Sequence, residues 1–414
     1  MKNFTIGFVG LSHLGLNYLA ASAEKKFNVI GIETDNKLLS KIKNFDIPYE
    51  EKNLKKILKK NKKRIFFSNK FHFLNTCNLV FVSKDVSTNK TGVPNLKEIV
   101  KLINSARKNI NSQGSLVILS QLRPGFMRKI NFNKKLLYYQ VETLIFGKSL
   151  DRALNPERII IGCNESNSKI NNSYLKYLKR FNCPIIKMSY ESAELTKIAI
   201  NIFLASSITT TNVLSEICST IGANWEEIKP ALKLDSRIGP KAYLKPGLGI
   251  SGGNIERDIM SLKKLSFKNL NLLNFANSLN HNSRYMKKWV LRKLKQEKIF
   301  NSRERISILG LSYKENTNSI KNSPSISLIK SLKNNNIKVF DPKAKLPLNL
   351  KRCQQVGKND KSLLRSKILI LMTPWKIFRN IKITKNVKLI IDPFKMINIK
   401  NIKNKKVKYY SLGV

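Results

Sequence analysis

The stretch from residue 4 to residue 33 restricts the fold more than any other part of the chain. Phe4-Thr-Ile-Gly-Phe-Val-Gly10 reads as a buried strand, a short apolar run bounded by glycine. Gly10-Leu-Ser12-His-Leu-Gly15 follows, then the helical stretch Leu19-Ala-Ala-Ser-Ala-Glu24. A second strand, Asn28-Val-Ile-Gly-Ile32, ends on Glu33. Strand, glycine turn, helix, strand and acid, in that order, form a βαβ unit suited to a dinucleotide. Gly10 permits the tight turn, and Gly15 lets the helix pack closely on the strand. The helix N-terminus faces the pyrophosphate, and Glu33 accepts hydrogen bonds from the adenosine ribose. Ser12 stands at the middle position, where glycine would allow the closest backbone approach, and its hydroxyl can donate to phosphate. An acid at 33 with no arginine beside it selects NAD over NADP.

The alternation continues along the chain. Leu79-Val-Phe-Val reads as a strand, Leu96 to Ile110 as a helix, and Ser115-Leu-Val-Ile-Leu as a strand. Ser120-Gln-Leu-Arg-Pro-Gly125 is a turn, and strands follow at Arg158–Gly162 and Cys183–Lys187. From Ser192 the pattern becomes helical, with Leu195, Ile198, Ile202 and Ala205 in apolar register. A glycine-rich loop runs from Lys245 to Asp258, and helix resumes to about Gln296. Arg305-Ile-Ser-Ile-Leu-Gly-Leu311 opens a second strand–turn–helix series, with further strands at Lys338–Asp341, Ile368–Met372 and Leu389–Asp392. The expected fold is α/β: two Rossmann-like doubly wound domains joined by a long central helical region. The expected segments are 1–190, 191–298 and 299–414. A central helix with an apolar face to cover predicts a homodimer.

A formal net charge of +51 over 414 residues raises the question of nucleic acid. The lysines are spread over the whole chain, far outnumber arginine, and lie in an Asn- and Ile-rich background. That pattern argues for compositional bias rather than a basic patch, so a nucleic-acid partner is not expected, although the charge favours anionic ligands. The five cysteines, Cys77, Cys163, Cys183, Cys218 and Cys353, are far apart and contain no CxxC pair. They read as free thiols in a reducing compartment, with no disulfide and no metal site. No apolar run reaches membrane-spanning length and no leader precedes the first strand, which gives a cytoplasmic expectation.

Four landmarks together resemble the UDP-glucose/GDP-mannose dehydrogenase family along essentially the whole chain. They are the Gly10–Gly15 turn, Lys197 with Asn201, the loop Pro246-Gly-Leu-Gly leading to Asp258, and Leu309-Gly-Leu-Ser-Tyr-Lys314-Glu-Asn-Thr317 with Ser323-Pro324. The resemblance implies an NAD-binding domain, a central dimerisation region and a C-terminal nucleotide-sugar-binding domain. Family members oxidise a sugar alcohol, typically to a carboxylate for polysaccharide biosynthesis, by way of a cysteine thiohemiacetal. By the same resemblance, Lys197, Asn201, Asp258 and Glu142 are the proton-handling and water-positioning residues. Gln121 and Lys321 lie on the cofactor side. Tyr243, Gly252, Gly253 and Lys314 meet the nucleotide-sugar, and Arg237 reaches the substrate of the partner subunit.

The departures from the family pattern bear on the chemistry. Asn254 occupies the position of the catalytic cysteine, and a carboxamide is not a nucleophile at neutral pH. Arg257 replaces a lysine, Gln121 a threonine, Phe146 a second glutamate and Phe394 an arginine. Two functions follow as expectations. One is an NAD-dependent nucleotide-sugar oxidoreductase that works without the thiohemiacetal step, with Asn254 as a hydrogen-bond donor. The other is a catalytically silent homologue that binds NAD and a nucleotide-sugar as a sensor or partner subunit.

Overall fold

The computed structural model describes the chain apart from residues 1–3, 90–93, 301, 333–335, 351, 359, 361–362, 364, 382, 399–401 and 403–405. Contacts divide it into two compact units, 1–200 and 201–414. The central helical segment therefore falls mainly in the second unit, together with the C-terminal sheet.

The first unit is built on eight strands: β1 (Thr5–Val9), β2 (Asn28–Ile32), β3 (Ile65–Ser68), β4 (Leu79–Val82), β5 (Ser115–Ile118), β6 (Leu137–Gln140), β7 (Ile159–Cys163) and β8 (Ile185–Ser189). Their order is β3-β2-β1-β4-β5-β6-β7-β8. All neighbours run parallel except β6 and β7. The helices are α1 (His13–Glu24), α2 (Asn36–Lys43), α3 (Leu54–Lys60), α4 (Lys97–Asn109), α5 (Ser149–Leu154) and α6 (Asn172–Lys179).

β4 and β5 are buried at every position and β1 at all but its first. Such unbroken apolar runs are what a parallel sheet covered on both faces requires. Phe8 and Phe81 stack at 5.1 Å within one core, while Val9, Val80 and Val82 enter another. Each fully buried side chain of this size contributes roughly 1.5–3 kcal/mol. Helix α1 is buried from His13 through Ala23, which explains its run of alanines and its lack of a charged face. Because β1, β2, β4 and β5 are parallel, their C-terminal ends lie along one edge of the sheet. That edge carries Gly10, Glu33, Ser83–Asp85 and Ser120–Gln121, and the strand order reverses beside β1, where open α/β sheets bind ligands.

Helix α7 (Tyr190–Ile221) begins in the first unit and ends in the second. Its length and composition reach what a membrane span requires, contrary to the expectation that no apolar run does. Yet Glu194, Lys197, Asn201, Asn212 and Ser215 along it are all buried, and buried polar groups at this spacing suit a helix packed within protein. The second unit continues with α8 (Trp225–Leu234), α9 (Asn254–Leu265), α10 (Leu270–Lys287) and α11 (Trp289–Gln296). Several starts use the abundant asparagines: Asn224 and Asn269 accept hydrogen bonds from the first backbone amides of α8 and α10, each cap contributing about 1 kcal/mol.

A second, wholly parallel sheet follows, made of β9 (Arg305–Leu309), β10 (Asn336–Phe340), β11 (Cys353–Gln355), β12 (Ile368–Leu371), β13 (Leu389–Ile391) and β14 (Lys408–Tyr410), with α12 (Pro324–Ser331). The order is β11-β10-β9-β12-β13-β14. The fold is α/β with two Rossmann-like sheets and a helical region between them in sequence, as expected.

Candidate active site

In the first unit the glycine turn closes tightly. Gly10 has φ +87°, in the left-handed region that favours glycine. A Cβ on Gly15 would lie 2.1 Å from the Gly10 carbonyl oxygen and 2.8 Å from Ser83 Oγ, so the helix start can approach the strand end only because residue 15 has no side chain. This cradle suits a pyrophosphate, and the residues that would hold NAD are the Gly10–Gly15 backbone, Ser12 and Glu33. Glu33 is buried. Its carboxylate accepts from the amides of Leu11 (2.8 Å), Thr34 (2.9 Å) and Asp35 (3.1 Å), so it ties the turn to the end of β2. Gln121 lies on the neighbouring turn after β5, half-buried.

Sequence reading missed two supports of these loops. Glu194 on α7 accepts from the amides of Gly125 (2.6 Å) and Met127 (2.9 Å), bracing the turn that follows Gln121. Burial raises its carboxyl above the usual glutamate range, and those two amides oppose the rise. Glu51 accepts from His13 Nε2 (3.1 Å) and from the amides of Gly147 (3.2 Å) and Ser149 (3.1 Å). It thereby fastens the 142–149 loop beside the glycine turn. Phe146, where the resemblance implies a glutamate, stacks on His13 with ring centroids 4.6 Å apart. Neither residue had a sequence signature, because each acts on backbone brought near by the fold. Glu142 opens the same loop. It bonds the Leu144 amide and pairs with Lys197 Nζ at 3.2 Å.

Lys197 and Asn201 are four apart on α7, so they share one face of the helix. In the second unit Asn201 Nδ2 donates to Asp258 Oδ2 at 2.5 Å, and Asp258 is fully buried. Arg257 Nε lies 3.4 Å from Asp258 Oδ1. The sequence placed Asn201 and Asp258 57 residues apart, and the fold joins them. Asn254 is the first residue of α9 and is exposed. The two glycines before it have φ +90° and +98°. A Cβ on Gly252 would strike the Tyr313 ring at 2.4 Å, and one on Gly253 would meet Lys321 at 2.8 Å. Lys321 and Tyr313 therefore pack directly on this loop.

A cavity of about 570 Å³ adjoins the loop, lined in part by Tyr243, Lys245, Gly247, Gly249, Ser251, Lys314, Arg379, Phe394 and Lys395. Its lysines and arginine suit a diphosphate. Phe394 stands where an arginine was implied, and Arg379 brings a guanidinium to the same cavity from another segment. Ser251 Oγ and Asn212 Nδ2 are buried without a hydrogen-bond partner among the described residues. Asn212 Oδ1 accepts from the Gly247 amide at 2.8 Å, so that orphaned nitrogen sits under the loop. Ser251, also missed by sequence reading, lines the cavity with its own hydroxyl buried and unspent. Arg237 lies away from these groups. Its side chain is 87% exposed and pairs with Asp235 at 2.6 Å.

No thiol substitutes at Asn254 within this unit. Cys218 packs with Trp225 and Leu244. Cys353 lies on β11, where burial pushes its thiol up to about 12.

The family models for the UDP-glucose/GDP-mannose dehydrogenase family match the chain in three parts: the NAD binding domain over residues 4–180, the central domain over 191–282 and the UDP binding domain over 307–405. A UDP-glucose 6-dehydrogenase of Rickettsia typhi is 26% identical over 442 residues, covering 99% of each chain. A putative UDP-glucose 6-dehydrogenase, YtcA of Bacillus subtilis, is 25% identical and covers 89% of each. Among solved structures, a UDP-glucose dehydrogenase from Pyrobaculum islandicum superposes with a TM-score of 0.86 at 19% identity, over 98% of this chain and 96% of that one. A UDP-D-ManNAc dehydrogenase from Pyrococcus horikoshii gives 0.83 at 18% identity, over 99% of each. The structural likeness is one of fold.

Proposed function

The chain belongs to the UDP-glucose/GDP-mannose dehydrogenase family, and from that premise we propose that it oxidises an alcohol of a UDP-linked sugar to the carbonyl, removing two electrons. Bound NAD supplies the hydride acceptor. The rest of the reaction falls to the side chains. The Lys197 ammonium donates to the sugar oxygen and lowers its proton affinity, and Glu142, its partner at 3.2 Å, receives the hydroxyl proton as the carbon–oxygen double bond forms. Asn201 Nδ2 spends one hydrogen on Asp258 and has a second to donate to a ligand. The observation that carries this reading is the buried Asn201–Asp258 pair, retained next to a loop whose nucleophile position is Asn254. Going on to a carboxylate requires water to add to the carbonyl and a second hydride to leave, and Asn254 offers no covalent hold for that step.

The experiment is to follow NADH formation with UDP- and GDP-sugars and weigh the product. The expected product is lighter than the substrate by two hydrogens. With Asn254→Cys, the product should shift toward the carboxylate. If the wild-type protein forms no NADH with any sugar under conditions where a cysteine-containing relative turns over, the reading is wrong. Phe146, stacked on His13 in place of a carboxylate, favours a second reading, a silent binder. That reading requires ligands to raise the melting temperature without turnover.

The same reading includes a homodimer. In the second unit Phe203, Ile217 and Ile221 of α7 are 78%, 45% and 70% exposed, and Leu272 and Phe275 of α10 are 53% and 47% exposed. Apolar side chains in such number call for a cover, and Arg237, 87% exposed and held by Asp235, stands in reach of a second copy. Sedimentation should give the mass of two chains; a single-chain mass at micromolar concentration would remove the dimer from the proposal.

A further inference from the structure

The two sheets of the chain carry a repeated turn. Gly10-Leu11-Ser12 follows β1, and Gly310-Leu311-Ser312 follows β9. In each, an acid at the end of the next strand takes the leucine amide. Glu33 accepts from Leu11 at 2.8 Å, and Asp341 accepts from Leu311 at 2.7 Å. Each turn glycine faces the second residue after the adjoining central strand: Gly10 faces Lys84, and Gly310 faces Thr373. The match in backbone placement does not carry over to the side chains there. The C-terminal copy has Thr373-Pro374, while the N-terminal copy has Lys84-Asp85, two charges at the same place.

Those two charges meet the groups that a dinucleotide would use. Asp85 Oδ2 accepts from the Leu14 amide at the start of α1, at 3.0 Å. The Asp85 amide donates to Ser12 Oγ at 2.8 Å. Lys84 Nζ lies 3.6 Å from Glu33 and 3.2 Å from Glu98. The segment is fixed from below, since Ser120 Oγ donates to the Lys84 carbonyl at 2.7 Å. Asp85 thus occupies an α1 amide that a bound pyrophosphate would draw on, and Lys84 sits beside the acid suited to a ribose.

We propose that Lys84 and Asp85 are an internal stand-in for the dinucleotide and set the affinity of this chain for NAD, which enters only as Asp85 leaves the α1 amide. The physical reason is that one amide cannot serve two acceptors at full strength, and a carboxylate beside a pyrophosphate repels it. The inference rests on the NAD-linked reading above and adds the residues that limit it.

The test is calorimetric titration of NAD, and separately of inorganic pyrophosphate, into the full chain and its Asp85→Ala, Asp85→Asn and Lys84→Ala variants. Melting curves establish that each is folded. Asp85→Ala should bind NAD about tenfold tighter or more, the gain expected when a competing charge-assisted hydrogen bond is removed. Asp85→Asn, which keeps the acceptor and loses the charge, should fall between, and serves if the alanine variant does not fold. Pyrophosphate should bind Asp85→Ala more tightly than the wild-type chain. Lys84→Ala should shift NAD affinity less than Asp85→Ala, because the ammonium lies farther from its partner. Equal or weaker NAD binding by folded Asp85→Ala, where the wild-type protein binds measurably, overturns the stand-in and leaves the oxidoreductase reading intact. No NAD binding by any variant overturns both.

Discussion

Gly15→Ala is expected to lower the melting temperature of the first unit by roughly 6–12 °C and to abolish NAD binding, an effect on the order of 3 kcal/mol for a unit of this size. Local propensity argues the other way. Residue 15 lies inside α1 with ordinary helical backbone, and alanine there would be favoured over glycine by about 1 kcal/mol. The steric term wins because the new methyl would lie 2.1 Å from the Gly10 carbonyl oxygen and 2.8 Å from Ser83 Oγ. Relief requires moving backbone of β1, which is buried and hydrogen-bonded on both sides. Gly125→Ala is the control. Gly125 has φ +83° but nothing within 4 Å of a built Cβ, so only the left-handed backbone cost of about 1–2 kcal/mol applies. Thermal melts followed by circular dichroism, with NAD titrations, check both. A Gly15→Ala protein that melts at or above the wild-type temperature would refute the close-packing account.

Asp258→Asn should reduce kcat by at least about a hundredfold, the range expected when a positioned hydrogen-bond network at the reacting oxygen is lost. The carboxylate accepts from Asn201 at 2.5 Å and faces Arg257 at 3.4 Å, fully buried. The substituted amide can still accept from Asn201 with one oxygen, but its NH₂ then turns toward Arg257, donor against donor. Stability should also fall, by about 3 kcal/mol, as it does when one member of a buried ion pair is removed. Steady-state NADH formation measures the first effect and urea unfolding the second. UDP affinity should change little, because the cationic cavity walls are separate side chains. A kcat within about threefold of the wild type would show that Asp258 does not act through Asn201.

Several parts of this architecture are legible in the sequence alone. The order of β1, α1 and β2 and the placing of Glu33 follow from apolar run length, glycine position and an acid at a fixed offset, all local properties of the chain. Lys197 and Asn201 sharing a helical face needs only the helical repeat. The central glycine loop and the absence of a thiol at Asn254 are equally plain in the residues, and they already limit the chemistry.

Other features depended on contacts between residues distant in sequence. Glu33 was expected to await a ribose; in the fold it also ties Leu11, Thr34 and Asp35 together. Glu51 and Glu194 serve backbone amides up to 98 residues away, and Lys84 and Asp85 have no local signature, since they meet the glycine turn only where β4 is set beside β1. Periodicity and turn chemistry act over a few residues, so they determine which elements form and what chemistry the chain carries. Which donor meets which acceptor at the parallel strand ends depends on sheet order and on burial that leaves each polar group needing a partner. Those are properties of the packed structure alone, and they decide how tightly the glycine turn can take a dinucleotide.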